Sequence, residues 1–325
     1  MMPVEFYRCA LDSSGFQRVE NNGSYPPAGL LYRVPPWGEG YYWLYFYRDM
    51  FDIKIHDFYF KEDTVYEIQA GEYPECLNIA YYASVSGEEL SPYRRLSAGC
   101  VKTFFGGSSG LKYAFHKGIP LRSIGIEIFP AYYEQYLRNT YPEEYRNPAE
   151  AFHCVDHAER FPKMAALLRQ ILNFRGEGLS AALFYEAKVS EAISLALEYG
   201  KAVPVQRAVS AQDRLLIANA ATYIQDHCSA NISLEHLSKI ACMGTTKLKA
   251  AFKAVYHVTI TQYIRERRLS YAETLLSTTD FPIEQVAAAV GYRNAGRFAA
   301  IFKENCGLYP TEYRRMAREQ SDTSK

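Results

Sequence analysis

No stretch of the 325-residue sequence approaches the roughly 18 consecutive apolar residues that a membrane helix requires, the longest aromatic run being Tyr41 to Tyr47. No membrane partner is therefore expected. Met1 to Cys9 lacks a basic stretch leading into an apolar core, so no signal peptide is read there and the cytoplasm is the expected compartment. The seven cysteines (Cys9, Cys76, Cys100, Cys154, Cys228, Cys242 and Cys306) are odd in number and never spaced C-x-x-C. That argues against a disulfide framework or a zinc knuckle and in favour of reduced thiols. Neither sign of charge is in excess, with 36 Lys+Arg against 36 Asp+Glu, so net charge nominates no partner. Paired carboxylates, a nucleophile elbow and a phosphate-binding Gly loop are all missing, and Gly106-Gly107-x-x-Gly110 reads as a hairpin loop. No catalytic residue, metal or cofactor is assigned, and the chain is not expected to be an enzyme.

The zero net charge conceals two halves. Residues 1–211 carry 21 basic and 25 acidic side chains, whereas residues 212–325 carry 15 and 11. The first half begins with alternating runs and the second is helical in period almost throughout. Lys201 to Ala211, with Pro204 and no sustained apolar face, reads as a linker. The predicted organisation is a β-rich domain over 1–200, a linker over 201–211, a helical domain over 212–318 and a disordered tail over 319–325.

In the first half, Phe51 to His56 and Ile124 to Ile128 alternate apolar and polar residues, as half-buried antiparallel strands do. Further strands are predicted at Tyr41–Arg48, Leu77–Tyr82, Val101–Phe105 and Lys112–Phe115, a spacing that suggests a β-sandwich or barrel. A helical hairpin follows. Its stripes are Met164, Leu167, Leu168 and Ile171, then Leu183, Val189, Ile193, Ala196 and Leu197, with the turn at Arg175 to Gly178. The fold class is thus α+β in two domains, the second of them all-α. The hairpin over 162–199 has two competing uses, a homodimer interface or packing on its own sheet.

The chemistry lies in the second half. Ile283, Val286, Ala287 and Val290 form one helix face, Gly291 breaks the helix, and Asn294 can cap the next. That next helix turns Phe298, Ile301 and Phe302 inward and Asn294, Ala295, Arg297, Ala299, Ala300 and Lys303 outward. Two helices joined by a tight Gly turn, the second with small and basic outward residues, make a helix-turn-helix over about 281–304. A second one occurs over about 233–256. Leu234, Leu237 and Ala241 face inward on its first helix and Leu248, Ala251, Phe252 and Val255 on its second, leaving Thr246, Lys247, Lys249, Ala250 and Lys253 outward. The amphipathic segment Ile260 to Ser277 between them would be a rigid spacer of about 27 Å, able to set two recognition helices about one duplex turn apart.

Over Ser233 to Arg315 the sequence resembles the AraC/XylS family of transcription regulators. The resemblance rests on Ala287-x-x-Val290-Gly291-Tyr292, Phe298, Phe302-Lys303 and Gly307-x-x-Pro310-x-x-Tyr313-Arg314, and on Tyr263-Ile264-Arg265-x-x-Arg268-Leu269-x-x-Ala272-x-x-Leu275-Leu276 as the linker helix. Three positions depart from the pattern: Cys242 stands where a turn Gly is usual, Gly244 where a capping Ser is usual, and His257 where Gly usually ends the helix. The resemblance implies that Thr246, Lys249 and Ala250 face bases with Lys247 and Lys253 near phosphate, and that Ala295, Arg297 and Ala300 face bases with Lys303 near phosphate. Arg297 can donate two bonds to guanine O6 and N7, and alanines admit thymine methyls. The bland alternative for each lysine is a solvated helix face. For Arg265, Arg267 and Arg268 it is pairing with Glu266 and its neighbours.

The first half resembles the cupin-like sensor domains attached to this family, and Phe115 to Ile128 is similar to regulators of siderophore receptors. Metal-dependent cupins need a His-x-His pair, a Glu and a distant His. Here His56 stands alone, and His153-x-x-x-His157 lacks further ligands, so no metal site is read. The composition has 28 Tyr and 18 Phe but only 2 Trp, and 19 of the Tyr precede residue 160. A Tyr-lined pocket for an aromatic, sterol-like or siderophore-like effector would draw on Trp37, Tyr42, Trp43, Tyr45, Tyr59 and Tyr81, while packing within strands is the competing use of the same rings. The function expected is a sequence-specific regulator of transcription that binds double-stranded DNA, an activator responsive to a small molecule, with RNA polymerase as partner. The alternatives are a constitutive regulator whose first half only dimerises, and a cupin enzyme fused to a DNA-binding module.

Overall fold

The computed structural model describes residues 3–21, 23–90, 93–107, 110–156, 161–202 and 209–319. The core of the read linker, the read tail beyond residue 319 and His157 lie outside them. The strands are β1 (Gln17–Val19), β2 (Leu30–Arg33), β3 (Gly38–Tyr47), β4 (Phe51–Phe60), β5 (Thr64–Ile68), β6 (Leu77–Ser84), β7 (Gly87–Leu90), β8 (Tyr93–Leu96), β9 (Val101–Phe105), β10 (Leu111–Phe115) and β11 (Leu121–Ile128). The α-helices are α1 (Pro3–Ser13), α2 (Leu137–Thr140), α3 (Ala149–Asp156), α4 (Pro162–Asn173), α5 (Gly178–Ala202), α6 (Ala211–His227), α7 (Leu234–Ile240), α8 (Thr245–Tyr256), α9 (Ile260–Thr278), α10 (Ile283–Ala289), α11 (Ala295–Cys306) and α12 (Pro310–Glu319), and a π-helical turn over Ala131–Tyr136 precedes α2. This is the expected α+β class. The chain divides into one compact unit of residues 1–86 with 97–203, and a second of 87–96 with 204–325. The β7–β8 hairpin, which sequence position alone assigns to the first half, therefore packs with the helices.

The sheet unit is built on an antiparallel sheet in the order β1-β2-β3-β4-β11-β6-β9, beside a β5–β10 pair. Register in its centre follows from alternation. Ile53, Ile55, Ile79, Ile124, Ile126 and Ile128 share one face and are buried there with α4 and α5. Pro162 opens α4, where a missing N–H costs nothing, and Met164, Leu167, Leu168 and Ile171 face this core. On α5 the inward stripe is Ala181, Tyr185, Val189, Ala192, Ile193 and Ala196. Leu183, read as inward, is instead 58% exposed and Leu179 is 75% exposed, because the fully buried Tyr185 takes the core-facing position of that turn.

The opposite face is polar in its middle and is covered by α1, which sequence periodicity did not reveal. Lys54 Nζ lies 2.6 Å from Glu127 Oε1 and 3.7 Å from Asp52 Oδ2. Tyr73 donates to Glu127 at 2.6 Å, Asn78 donates to it at 3.1 Å, and Tyr7 of α1 donates to it as well. The Lys54 ammonium also sits 3.7 Å from the centre of the Tyr7 ring. Neither Asp52 oxygen has a hydrogen-bond partner, and burial pushes its pKa well above the usual carboxylate range.

In the helical unit, α6, α7 and α8 close around Ile217, Ala220, Ile224, Leu237, Ala241, Leu248 and Phe252, joined by Tyr263 of α9. Helix α6 was legible only as part of a domain. Its signal is the spacing of Ile217, Ala220, Ala221 and Ile224, begun by Ser210, whose side chain accepts from the Asp213 N–H. The other end of α9 packs with α10 and α12. There Leu269, Ala272, Leu276, Val286, Phe298, Phe302 and Tyr313 are buried, Phe302 meeting Tyr313 edge-on at 5.5 Å.

Candidate nucleic-acid interface

Each half of the helical unit is a short helix, a tight turn and a longer helix. In the first, Ser233 caps α7 by accepting from the His236 N–H at 3.1 Å. Cys242 then takes φ +47° where a left-handed residue is needed, Gly244 begins α8 without a side-chain cap, and His257 ends it at φ +61°. In the second, Gly291 (φ +83°) makes the turn, the Asn294 Oδ1 accepts from the Arg297 N–H at 2.8 Å, and Gly307 (φ +77°) ends α11. Gly291 is required twice over. A Cβ there would come within 2.5 Å of the Ser229 carbonyl oxygen and 3.0 Å of Arg268 Cζ.

One arginine ties the two halves together. From α9, Arg268 donates to the carbonyls of Cys228 at 2.7 Å, Ala230 at 3.0 Å and Gly291 at 3.2 Å. It thus joins the chain after α6 to the turn before α11, and its partners are carbonyls rather than the acidic neighbours read from sequence. Arg267 lies 3.9 Å from the ring centre of Tyr93. The capping box of Thr259 and Gln262 fixes where α9 begins.

The outward residues fall where periodicity placed them. On α8, Thr246, Lys247, Lys249, Ala250 and Lys253 are exposed, with Leu248, Ala251 and Phe252 buried behind them. Lys247 is paired with Asp213 at 2.7 Å, and that bond holds the Asp213 carboxyl below its ordinary range. On α11, Asn294, Arg297, Ala300 and Lys303 are exposed and Ala295 is half-buried, backed by Phe298, Phe302 and Cys306. An open concavity of about 750 Å³ is lined by Gly296, Ala299, Ala300, Lys303, Glu304, Gly307 and Tyr309, and Lys303 Nζ lies 3.8 Å from the Tyr309 ring centre. Tyr309 was not singled out from sequence. Its place between Gly307 and Pro310, six residues beyond Lys303, is the signal that could have found it. Each second helix thus presents small side chains and long donors on its own solvent-facing side.

The six aromatic candidates of the sheet unit divide between its two faces. Trp43, fully buried, donates from Nε1 to the Pro26 carbonyl at 2.8 Å, and with Tyr45 and Tyr81 it packs in the core shared with α5. Tyr42 faces the other way, against His56, while Trp37 is 39% exposed and stacks on Phe60. Phe16 touches both Trp37 and Tyr42. Tyr59 donates to Glu39 at 2.6 Å. His56 is hydrogen-bonded to Ser123 Oγ at 2.9 Å, and burial, reinforced by Lys54, pushes its pKa down to about 3. It is therefore a neutral imidazole. His153 stacks on Phe105 at 3.7 Å between ring centres.

Two helix-turn-helix units on one connecting helix, with an antiparallel sheet unit ahead of them, define the class: a two-domain helix-turn-helix regulator. A helix-turn-helix domain family matches residues 237–316, and the family described as the regulatory protein PchR N-terminal domain matches residues 37–211, more than half of the chain. The chain belongs to the AraC/XylS family of transcriptional regulators, in the branch that carries the PchR-type N-terminal domain. It is similar to the probable transcriptional regulator LumQ of Photobacterium leiognathi, 31% identical over 101 residues that make up 31% of this chain and 41% of that protein. It is also similar to the regulatory protein SoxS of Escherichia coli, 29% identical over 30% of this chain and 92% of SoxS. The C-terminal domain of AraT, a response regulator from Geobacillus stearothermophilus, is 29% identical over 31% of this chain and 84% of that chain, with a TM-score of 0.30. The match thus takes in less than half the length of LumQ. No helix among the described residues is long and apolar enough to cross a membrane.

Proposed function

We propose that this chain is a sequence-specific regulator of transcription that binds double-stranded DNA through α8 and α11. The carrying observation is that both second helices leave their small and basic faces exposed while their opposite faces fill a core. At about 1.5 Å per residue the 19-residue α9 spans about 28 Å, suited to setting two helices in successive major grooves. Thr246, Lys249, Ala250, Ala295, Arg297 and Ala300 are assigned to base edges; Lys247, Lys253, Asn294 and Lys303 are assigned to the backbone. Lys247 must exchange Asp213 for a phosphate to take part. The test is selection of duplexes from a random pool by the full-length chain, followed by titration of Arg297→Ala. That change should cost about 1–3 kcal/mol on the selected site and relax preference at one base pair. Equal loss on matched and mismatched sites would remove Arg297 from base reading, and enrichment of no sequence would defeat the proposal as a whole.

The sheet unit is assigned a small-molecule effector and an activating role, with RNA polymerase as the further partner. Supporting this are the contiguous rings of Trp37, Phe16, Tyr42, His56 and Phe58, on the side of the sheet that also carries Asp52, Lys54 and Glu127. A ligand there should quench Trp37 fluorescence, and Trp37→Phe should abolish the signal. Dimerisation is assigned to the exposed Leu179 and Leu183 of α5, since α4 turns its apolar stripe to its own sheet. Sedimentation of Leu183→Glu should give a monomer.

A further inference from the structure

The helical unit contains ten residues that sequence order gives to the other half of the chain. In the β7–β8 hairpin, opposite charges face each other across the strands, Glu88 with Arg95 and Glu89 with Arg94. Arg95 is wholly buried. Its guanidinium donates to Glu273 of α9 from Nη2 at 2.6 Å and from Nε at 3.3 Å, and Nη2 lies 3.0 Å from Cys306 Sγ at the end of α11. Ser270 of α9 donates to Glu88, and Tyr93 meets the Tyr263 ring edge-on at 5.7 Å with Arg267 over its face. Tyr263, Arg267, Ser270 and Glu273 form one stripe of α9, so the hairpin lies along the helix that separates the two recognition helices.

We infer that this hairpin positions the DNA-reading helices, with Arg95 as the positioning residue that locks α9 to the end of α11. The inference rests on the DNA-binding reading above. Glu273 is 1% exposed, and burying a carboxylate in a helical core is costly without a cation beside it; here the guanidinium comes from outside the helices. These contacts of the hairpin lie on α9 and on the buried Cys306 rather than on Thr246, Lys249, Ala250, Arg297 or Ala300. It therefore sets the geometry of the reading surface and does not block it. Two residues join it to β6 and four to β9, so the sheet half of the sequence holds a covalent handle on the DNA-binding helices.

The full-length chain tests this on duplexes it selects from a random pool, each also trimmed to the segment read by one recognition helix. Arg95→Ala should weaken binding to the complete site about tenfold or more, leave each trimmed duplex bound as by the wild type, and leave the salt slope unchanged because no phosphate contact is lost. The double variant Arg95→Met with Glu273→Leu, which substitutes an apolar pair for the ion pair, should restore complete-site affinity to within about threefold. Wild-type affinity for the complete site in Arg95→Ala overturns the inference, as does equal loss on complete and trimmed duplexes. Should Arg95→Ala fail to fold, Tyr93→Ala, which loosens the hairpin at its other contact, is read on the same duplexes with the same deciding outcomes. If the wild type selects no sequence, the DNA-binding reading itself has failed.

Discussion

The two helix-turn-helix units share a design and differ in how their turns are made. The second uses glycine at both left-handed positions, Gly291 and Gly307, and an asparagine cap; the first uses Cys242 and His257 at those positions and begins α8 at Gly244 with no side-chain cap. A non-glycine residue in the left-handed region costs about 1–2 kcal/mol, and a missing cap about 1 kcal/mol. The same backbone path is thus held with less local help in the first unit, where packing of Leu237, Leu248 and Phe252 must compensate. The exposed faces differ too. Lys247, Lys249 and Lys253 give the first helix charge, while Ala295, Arg297 and Ala300 give the second a small surface with one long donor.

The contrast can be broken most severely at Gly291. Gly291→Ala forces a left-handed Cβ against the Ser229 carbonyl and Arg268, and urea unfolding of the full chain should show a loss of about 2–4 kcal/mol. Cys242→Ala at the matching turn should change stability by less than about 0.5 kcal/mol, since a side chain is already accommodated there. Asn294→Ala should remove about 1 kcal/mol by leaving the Arg297 N–H uncapped, whereas Gly244→Ser should gain a few tenths of a kcal/mol, roughly, by supplying the cap the first unit lacks. His257→Gly should raise stability by about 0.5–1 kcal/mol, read as a higher melting temperature. The smallest effect is on binding: Lys303→Ala should lower affinity for all duplexes alike and reduce the salt slope by about one unit. An unchanged slope would return Lys303 to its stacking on Tyr309 alone.

Much of the helical unit was legible because periodicity and punctuation agreed. Leu248 with Phe252, and Phe298 with Phe302, fixed both faces of their helices, and Gly291 with Asn294 marked a turn whose chemistry admits few other residues. The central strands were legible for the same reason, since Ile124, Ile126 and Ile128 alternate with short or polar side chains. The aromatic candidates were less so. A strand sends neighbours to opposite faces, and Trp43 and Tyr42 parted accordingly, one into the core and one towards His56. Helix α1 was missed because its amphipathic stripe is short and its Tyr7 is drawn to Glu127, 120 residues away.

Local pattern alone determined the two helix-turn-helix units, their outward residues and the alternating strands, because each depends on spacing within a few turns of chain. Tertiary structure decided the rest: that Arg268 bonds three carbonyls in two separate turns, that Asp52, Lys54 and Glu127 share one buried face, and that Arg95 neutralises Glu273 across 178 residues of sequence. Such pairings leave no periodic trace. A buried charge is stable only beside its partner, and which partner it meets is set by how distant segments pack.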